Sequence, residues 1–211
     1  MAEMWITAIY PWKKTSIPNK ENEKYPYLLR NLEITRPNQV WATDITYIRL
    51  KHWWVYLVVI IDWYSRAILS WELSLTLESE FCISALNRAL ALYEHPEIVN
   101  SDQWSQFTSV RYTNRLKENG IKISMDWKWR WIDNIIVERT FRTIKQEEVY
   151  INDYRTPLEA YNCLKEYIDK YNQERLHSAL NYKTPWEIYW LSKDINIFNT
   201  TVNRVPFIYN I

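Results

Sequence analysis

The sequence predicts a single α/β domain: a five-stranded mixed sheet with helices on both faces. Three observations carry that expectation. Three segments rich in β-branched and aromatic residues come first, separated by short polar breaks. The apolar period then changes from that of a strand to that of a helix, and two short apolar runs follow, each fenced by helical segments. A chain of 211 residues is long enough for one such domain with its own core.

Taken in order, residues 1–39 are polar and carry Pro11, Pro18, Pro26 and Pro37, which reads as an N-terminal arm or linker. QVWATDITYIRL, WWVYLVVIID and SRAILSWELS are three strands of an antiparallel meander. Glu78 to Tyr93 places Phe81, Ala85, Ala89 and Leu92 at helical spacing, and EIVNSD is a short buried strand. Thr108 to Asn119 is a second helix, stopped by Gly120, and IKISM is a fifth strand. Ile132 to Tyr150 is a long amphipathic helix with Asp133 near its start, where a carboxylate complements the helix dipole. A last long helix runs from Pro157 to about Glu174, followed by the loop HSALNYKTP and the helical piece PWEIYWL. A meander followed by alternating helices and strands, the later strands parallel, is the order of the ribonuclease H-like fold. The expected organisation is an arm at 1–39, a catalytic core at 40–175 and a C-terminal extension at 176–211 packing on the core.

Composition narrows the function classes. Hydrophobic residues make up 47% and charged residues 24%, far from a disordered or fibrous chain. The apolar run Trp53 to Ile61 is about half of what a membrane-spanning helix needs, and the N-terminus lacks the apolar stretch of a signal peptide. The expectation is a cytoplasmic protein without a membrane partner. Cys82 and Cys163 stand far from any second Cys or His at metal-ligand spacing and read as reduced thiols. The net charge of +1 hides an asymmetry: Arg111 to Lys145 holds nine Lys/Arg against four Asp/Glu, and Trp41 to Ser101 holds four against seven. A basic half beside an acidic half suits a protein that handles both phosphates and metal ions, and equally a solvated helix face.

Three acidic residues occupy unusual places in this order. Asp44 lies inside the first strand, Asp102 ends the fourth, and Glu138 is on the long helix. A carboxylate within or at the buried end of a strand is costly unless it is paired or binds a cation. In a ribonuclease H-like sheet the first and fourth strands are neighbours, so Asp44 and Asp102 meet at the centre and the helix delivers Glu138. Three hard oxygen donors suit Mg²⁺ or Mn²⁺, and two such ions can drive an in-line phosphoryl displacement with no covalent protein nucleophile. On the same helix Glu138, Arg142 and Lys145 share a polar stripe, beside an apolar one of Val137, Phe141 and Ile144. That stripe suits a DNA backbone arriving at the metal; the plainer alternative is a surface helix with a Glu–Arg pair worth a few tenths of a kcal/mol.

The blocks WATDITYI, VNSDQWSQFTS, SMDWKWRWIDNIIVERTFRTIKQEEVY and YNQERLHSALNYKTPWEIY resemble, in order, the signature blocks of bacterial insertion-sequence transposases of the IS-three group, relatives of retroviral integrases. Between Asp102 and Glu138 lie 35 residues, the spacing of that D,D(35)E superfamily, and Lys145 stands where the family keeps a Lys or Arg. The resemblance runs from about Tyr10 to Leu191. It implies Mg²⁺-dependent nicking of DNA at element ends and strand transfer by the freed 3′-hydroxyl, on DNA and as a homo-oligomer, with the protein on the bacterial nucleoid while it acts. It makes Asp44, Asp102 and Glu138 catalytic metal ligands. DNA contacts are expected at Lys145, Arg142, Arg139, Lys128 and Arg130, and Asn172, Arg175 and His177 belong to a block that supports the core. Two readings stay beside it: a decayed DNA-binding remnant of a transposase, and a ribonuclease H-like nuclease without strand transfer.

Two departures from the family matter. Its members carry an N-terminal helix-turn-helix part that reads element ends, so end recognition here is expected to be absent or to come from a separate polypeptide. Glycine is also missing: it occurs once and tryptophan 13 times, where average usage predicts roughly 15 glycines. The family pattern DQGSQ falls on Asp102-Gln103-Trp104, and MDGKGRW on the stretch with Trp127 and Trp129; Trp5 and Trp53 or Trp54 also fall where the family often has Gly. One cause accounts for all of them, a UGA codon meaning glycine in the source organism but translated as tryptophan. A decayed element with bulky loops, or tryptophans that stack on DNA bases, are the rival explanations.

Overall fold

The computed structural model describes residues 23–126 and 135–197. Strands β1 (Val40–Arg49), β2 (Trp54–Asp62) and β3 (Ile68–Ser74) form the antiparallel meander. Helix α1 (Ser79–Leu92), strand β4 (Ile98–Ser101), helix α2 (Val110–Glu118) and strand β5 (Lys122–Met125) follow. Helices α3 (Ile135–Ile144), α4 (Pro157–Gln173) and α5 (Pro185–Ile197) are the remaining α-helices among the described residues. The sheet order is β3-β2-β1-β4-β5, with β4 and β5 parallel to β1. The fold is ribonuclease H-like.

The alternation of β1 divides the molecule into two cores. Trp41 and Ile45 face one side with Val58 and Ile60 of β2, and there meet Phe81, Leu86 and Ala89 of α1 and Tyr112 and Leu116 of α2. Ala42 and Ile48 face the other side, where Val137, Phe141 and Ile144 of α3 pack with Leu164, Ile168 and Tyr171 of α4. Asp44 lies in the alternation with Ala42 and Ile48 and so faces α3. Tyr189 of α5 is buried in the first core, and its hydroxyl donates to Asn38 Oδ1 at 3.0 Å. Of the arm, Leu29 joins Val40 and Ile98 in a third small cluster, and Leu28 N–H donates to Ser124 Oγ at 3.0 Å, so this stretch runs beside β5.

Local chemistry sets the ends. Ser109 Oγ accepts from Tyr112 N–H at the start of α2, and Gly120 after it has φ +69°, the left-handed stop its position predicts. Thr156 Oγ1 accepts from Glu159 N–H at 3.1 Å, with Pro157 in the first turn of α4. Two expectations need correction. Leu92 is exposed rather than in the core, because the packed face of α1 drifts to Phe81, Cys82, Ala85, Leu86 and Ala89. The expected α-helix to Tyr150 widens into a π-helical turn at Lys145–Val149, where Tyr150 N–H reaches Lys145 O at 2.8 Å; residues 132–134 of that expectation lie outside the described part. Among the described residues no helix is long and apolar enough to cross a membrane.

A carboxylate that sequence reading passed over holds the base of the sheet. Asp62, fully buried at the end of β2, accepts from Asn38 N–H, Ser65 N–H and Ser65 Oγ, each at 2.7 Å. It ties the entry of β1 to the β2–β3 turn, so its buried charge is matched by donors rather than by a cation.

Candidate active site

Sheet register brings the first two acids together. β1 and β4 pair in parallel at Val40–Ile98, Trp41–Val99 and Ala42–Asn100. Two residues further along each chain segment are Asp44, in the middle of β1, and Asp102, just past the carboxyl end of β4, where the ladder between the two parallel strands has opened. That is where open α/β sheets present ligand sites. Asp44 is within β1, opposite Val59 of β2, whereas Asp102 lies one residue past the end of β4.

Both carboxyls are half-buried and thinly bonded. Asp44 Oδ1 accepts from Ile45 N–H at 2.7 Å and Asp102 Oδ1 from Trp104 N–H at 3.0 Å. Burial, followed by the charge of Asp102, pushes Asp44 up to about 8, with Glu138 adding to the repulsion and Lys145 opposing it. Burial pushes Asp102 up to about 7, helped by the neighbouring Asp126, whose side chain accepts from Asn100 Nδ2 at 3.0 Å. The Cys82 thiol is also pushed up, by burial and then by Asp102 and Asp44, so it is no thiolate nucleophile.

Helix α3 supplies the opposite wall. Asp44, Glu138, Arg142, Lys145 and Tyr150 line one cleft of about 400 Å³. Glu138 and Arg142 are exposed and Lys145 is half-buried, as the predicted polar stripe requires, and Val137, Phe141 and Ile144 are buried. Among the described residues Glu138 and Arg142 form no ion pair, so the plain surface-pair reading of this stripe is not what the structure contains. A wider groove of about 630 Å³ continues past Lys145 and Tyr150 along Tyr47, Arg49, Trp54 and Tyr56. Its aromatic wall was not foreseen; the alternation of exposed Tyr47 and Arg49 on β1 was the available signal.

As a donor set the three acids fit a hard divalent cation: oxygen atoms only, with the charges of Asp102 and Glu138 both raising the half-buried Asp44. Glu138 is within electrostatic reach of Asp44, but among the described residues no three His, Cys, Asp or Glu are gathered tightly enough to hold an ion.

The remaining expected residues fall elsewhere. Lys128 and Arg130 lie outside the described residues. Asn172 is buried and bridges the β3 backbone, accepting from Ile68 N–H and donating to Ile68 O, both at 2.9 Å. Arg175, His177 and Arg139 line a different cavity on another side of α3. Trp104 is 38% exposed and Trp53 63%, and neither has a positive φ, so the backbone at these two positions does not itself demand glycine. Trp5, Trp127 and Trp129 lie outside the described residues.

A stability prediction follows from the acids. In the folded state burial pushes Asp44 up to about 8, well above the ordinary carboxylate range of about 4, so the folded protein binds the extra proton between those pH values. Its contribution is fully present below about pH 4 and is lost as pH rises through about 8. Asp44→Asn removes the burial of charge and is expected to raise the melting temperature at pH 8 without divalent ions by roughly 2–10 °C, with a smaller gain at pH 5. Differential scanning calorimetry at the two pH values measures it; a lowered melting temperature at pH 8 contradicts the electrostatic reading.

Known proteins resemble this chain over most of its length. Residues 34–130 match one family model described as an integrase core domain, and residues 119–185 match a second model of the same description. A transposase for insertion sequence element IS904 of Lactococcus lactis is 37% identical over 76% of this chain. Transposase InsF for insertion sequence IS3A of Escherichia coli is 32% identical over 79% of it. The chain spans 65% and 58% of the length of these two relatives. Among solved structures, the catalytic core domain of HTLV-2 integrase in complex with magnesium superposes with a TM-score of 0.60 at 27% identity, over 73% of this chain and 97% of that one.

Proposed function

The chain belongs to the integrase core domain family, among the insertion-sequence transposases, and from that premise we propose that it is a DDE transposase core that nicks DNA and joins strands by phosphoryl transfer. One observation supports the reading: the β1–β4 register brings Asp44 and Asp102 level where the ladder opens, and Glu138 of α3 and Lys145 just after it line a cleft with Asp44.

Asp44, Asp102 and Glu138 are the residues that would hold Mg²⁺ or Mn²⁺, two ions in this reading. Bound there, the ions supply the positive charge that activates an attacking oxygen and stabilises a leaving one. Arg142 and Lys145, on the same helix edge, hold the phosphate backbone at the cleft by charge. In strand transfer the 3′-hydroxyl of one strand bonds to a phosphorus of the target, and the target's own 3′-oxygen leaves. We assign residues 40–175 to the catalytic core, 1–39 to an arm and 176–211 to an extension. We further propose action as a homo-oligomer on DNA and residence in the cytoplasm on the nucleoid.

The test is incubation with Mg²⁺ and a duplex carrying the element's terminal repeat, with products resolved by length. Joined products are expected. Hydrolysed ends without joined product select the nuclease reading, and neither product selects the remnant.

The tryptophan excess belongs to this proposal. Trp104 sits two residues from Asp102 and its indole is open to solvent, so Trp104→Gly is expected to leave stability within about 0.5 kcal/mol. Protein with glycine at 104, 127 and 129 is expected to transfer strands faster than the tryptophan form. TGA codons at these three positions in the coding DNA support glycine; TGG codons there overturn it.

A further inference from the structure

On another side of α3 from the acid cleft lies a cavity of about 230 Å³ whose lining is rich in cations. Arg66 enters it from the β2–β3 turn, Arg139 and Thr143 from α3, Tyr171 and Arg175 from the end of α4 and the residues after it, and His177 from the following loop. Three arginines from three parts of the chain thus line one small space.

Their charges are poorly matched from within. Arg175 is held by Glu147 through Nε at 3.0 Å and Nη2 at 2.6 Å, which fixes its plane. Its Nη1 edge faces His177 Nε2 at 3.4 Å. Burial, then the charge of Arg175, pushes His177 down to about 4, so at neutral pH its ring is an uncharged wall. Among the described residues neither Arg66 nor Arg139 forms an ion pair or a side-chain hydrogen bond. They repel each other closely enough to lower Arg66, after burial as the larger cause. Asp62 is near Arg66, but its oxygens already serve Asn38 and Ser65.

The backbone adds an independent sign. Arg66 has φ +64°, a left-handed conformation that suits glycine and costs a longer side chain roughly 1–2 kcal/mol. A residue held there, half-buried and beside a like charge, is more than a turn filler.

We propose that this cavity is a second phosphate site, taking a backbone phosphodiester of the DNA strand and anchoring it away from the reacting centre. The inference rests on the proposed function for its choice of DNA. A phosphate's oxygens suit the guanidinium forks of Arg66 and Arg175 and the charge of Arg139, with the Thr143 hydroxyl as a further donor. With Arg142 on the neighbouring edge of α3 and Lys145 at the start of the π-helical turn that follows it, this stretch would then present cations along two sides of one strand.

The experiment measures binding of a fluorescent mixed-sequence DNA duplex across a salt series, with Arg66→Gly and Arg139→Gln. Each variant is expected to weaken binding about 3- to 30-fold and to lower the slope of log affinity against log salt by roughly 1. Arg66→Gly relieves the backbone conformation, so its melting temperature is expected to stay level or rise while affinity falls; a merely structural arginine would lose stability instead. Wild-type affinity and slope in both variants overturn the proposal, as does heat protection of the wild type by inorganic phosphate with DNA binding unchanged in the variants. Failure of the wild type to bind DNA refutes the proposed function itself, before the variants are compared.

Discussion

Asp102→Asn, Glu138→Gln and Asp44→Asn are each expected to lower strand transfer on the order of 10³-fold or more, a loss of about 4 kcal/mol of transition-state stabilisation. The substitutions are nearly isosteric, so the fold remains and the charge is what disappears. Asp44 and Asp102 sit where β1 and β4 have just parted, each with one backbone N–H donor, so neither carboxylate holds a hydrogen-bond network together. Joined and nicked products on a denaturing gel give the rate, and near-ultraviolet circular dichroism checks the fold. Any of the three variants that keeps wild-type strand transfer removes that residue from the reacting centre.

Trp41→Ala carries the largest expected effect on stability, a loss of about 3–5 kcal/mol. Trp41 is fully buried in the core between the sheet and helices α1 and α2, and its indole N–H donates to Asn38 Oδ1 at 2.9 Å. Asn38 is itself the residue whose backbone N–H is held by Asp62 and whose side chain accepts from Tyr189, so the cavity opens at a junction of β1, the β2–β3 turn and α5. Chemical denaturation measures the loss. The contrast with Trp104→Gly is informative, because the same residue type is structural at 41 and a solvent-exposed loop side chain at 104. A loss below about 1 kcal/mol at Trp41 would place it among the replaceable tryptophans.

The strands and helices were legible because their signals are local. β-branched runs, the switch of period after Ser74 and the lone glycine at Gly120 each act within a few residues. The meeting of Asp44 and Asp102 was legible through the topology: once the element order implies that β1 and β4 are neighbours, equal offsets along parallel strands bring the acids side by side. What stayed hidden depends on distant partners. Asp62 looks like any strand-ending aspartate until Asn38 and Ser65 fold onto it. The π-helical turn at Lys145–Val149 has no period of its own in the sequence, and the neighbours it serves, Glu147 with Arg175 and Glu148 with Tyr154, come from α4 and its flanks. Arg139 was expected at DNA and Arg175 and His177 as supports, yet only the fold gathers them with Arg66, a residue with no sequence signal beyond following a serine in a turn.

The claim that Asp44, Asp102 and Glu138 form one cation site is tested most directly by titrating Mn²⁺ while following thermal unfolding of the wild type and an Asp44→Asn/Asp102→Asn double variant. The wild type is expected to gain stability saturably, by about 2.7 kcal/mol once the ion exceeds its dissociation constant a hundredfold. The double variant is expected to melt higher than wild type before Mn²⁺ is added and to gain almost nothing from it. An equal Mn²⁺ response in both proteins, or a double variant that starts out less stable, would contradict the site.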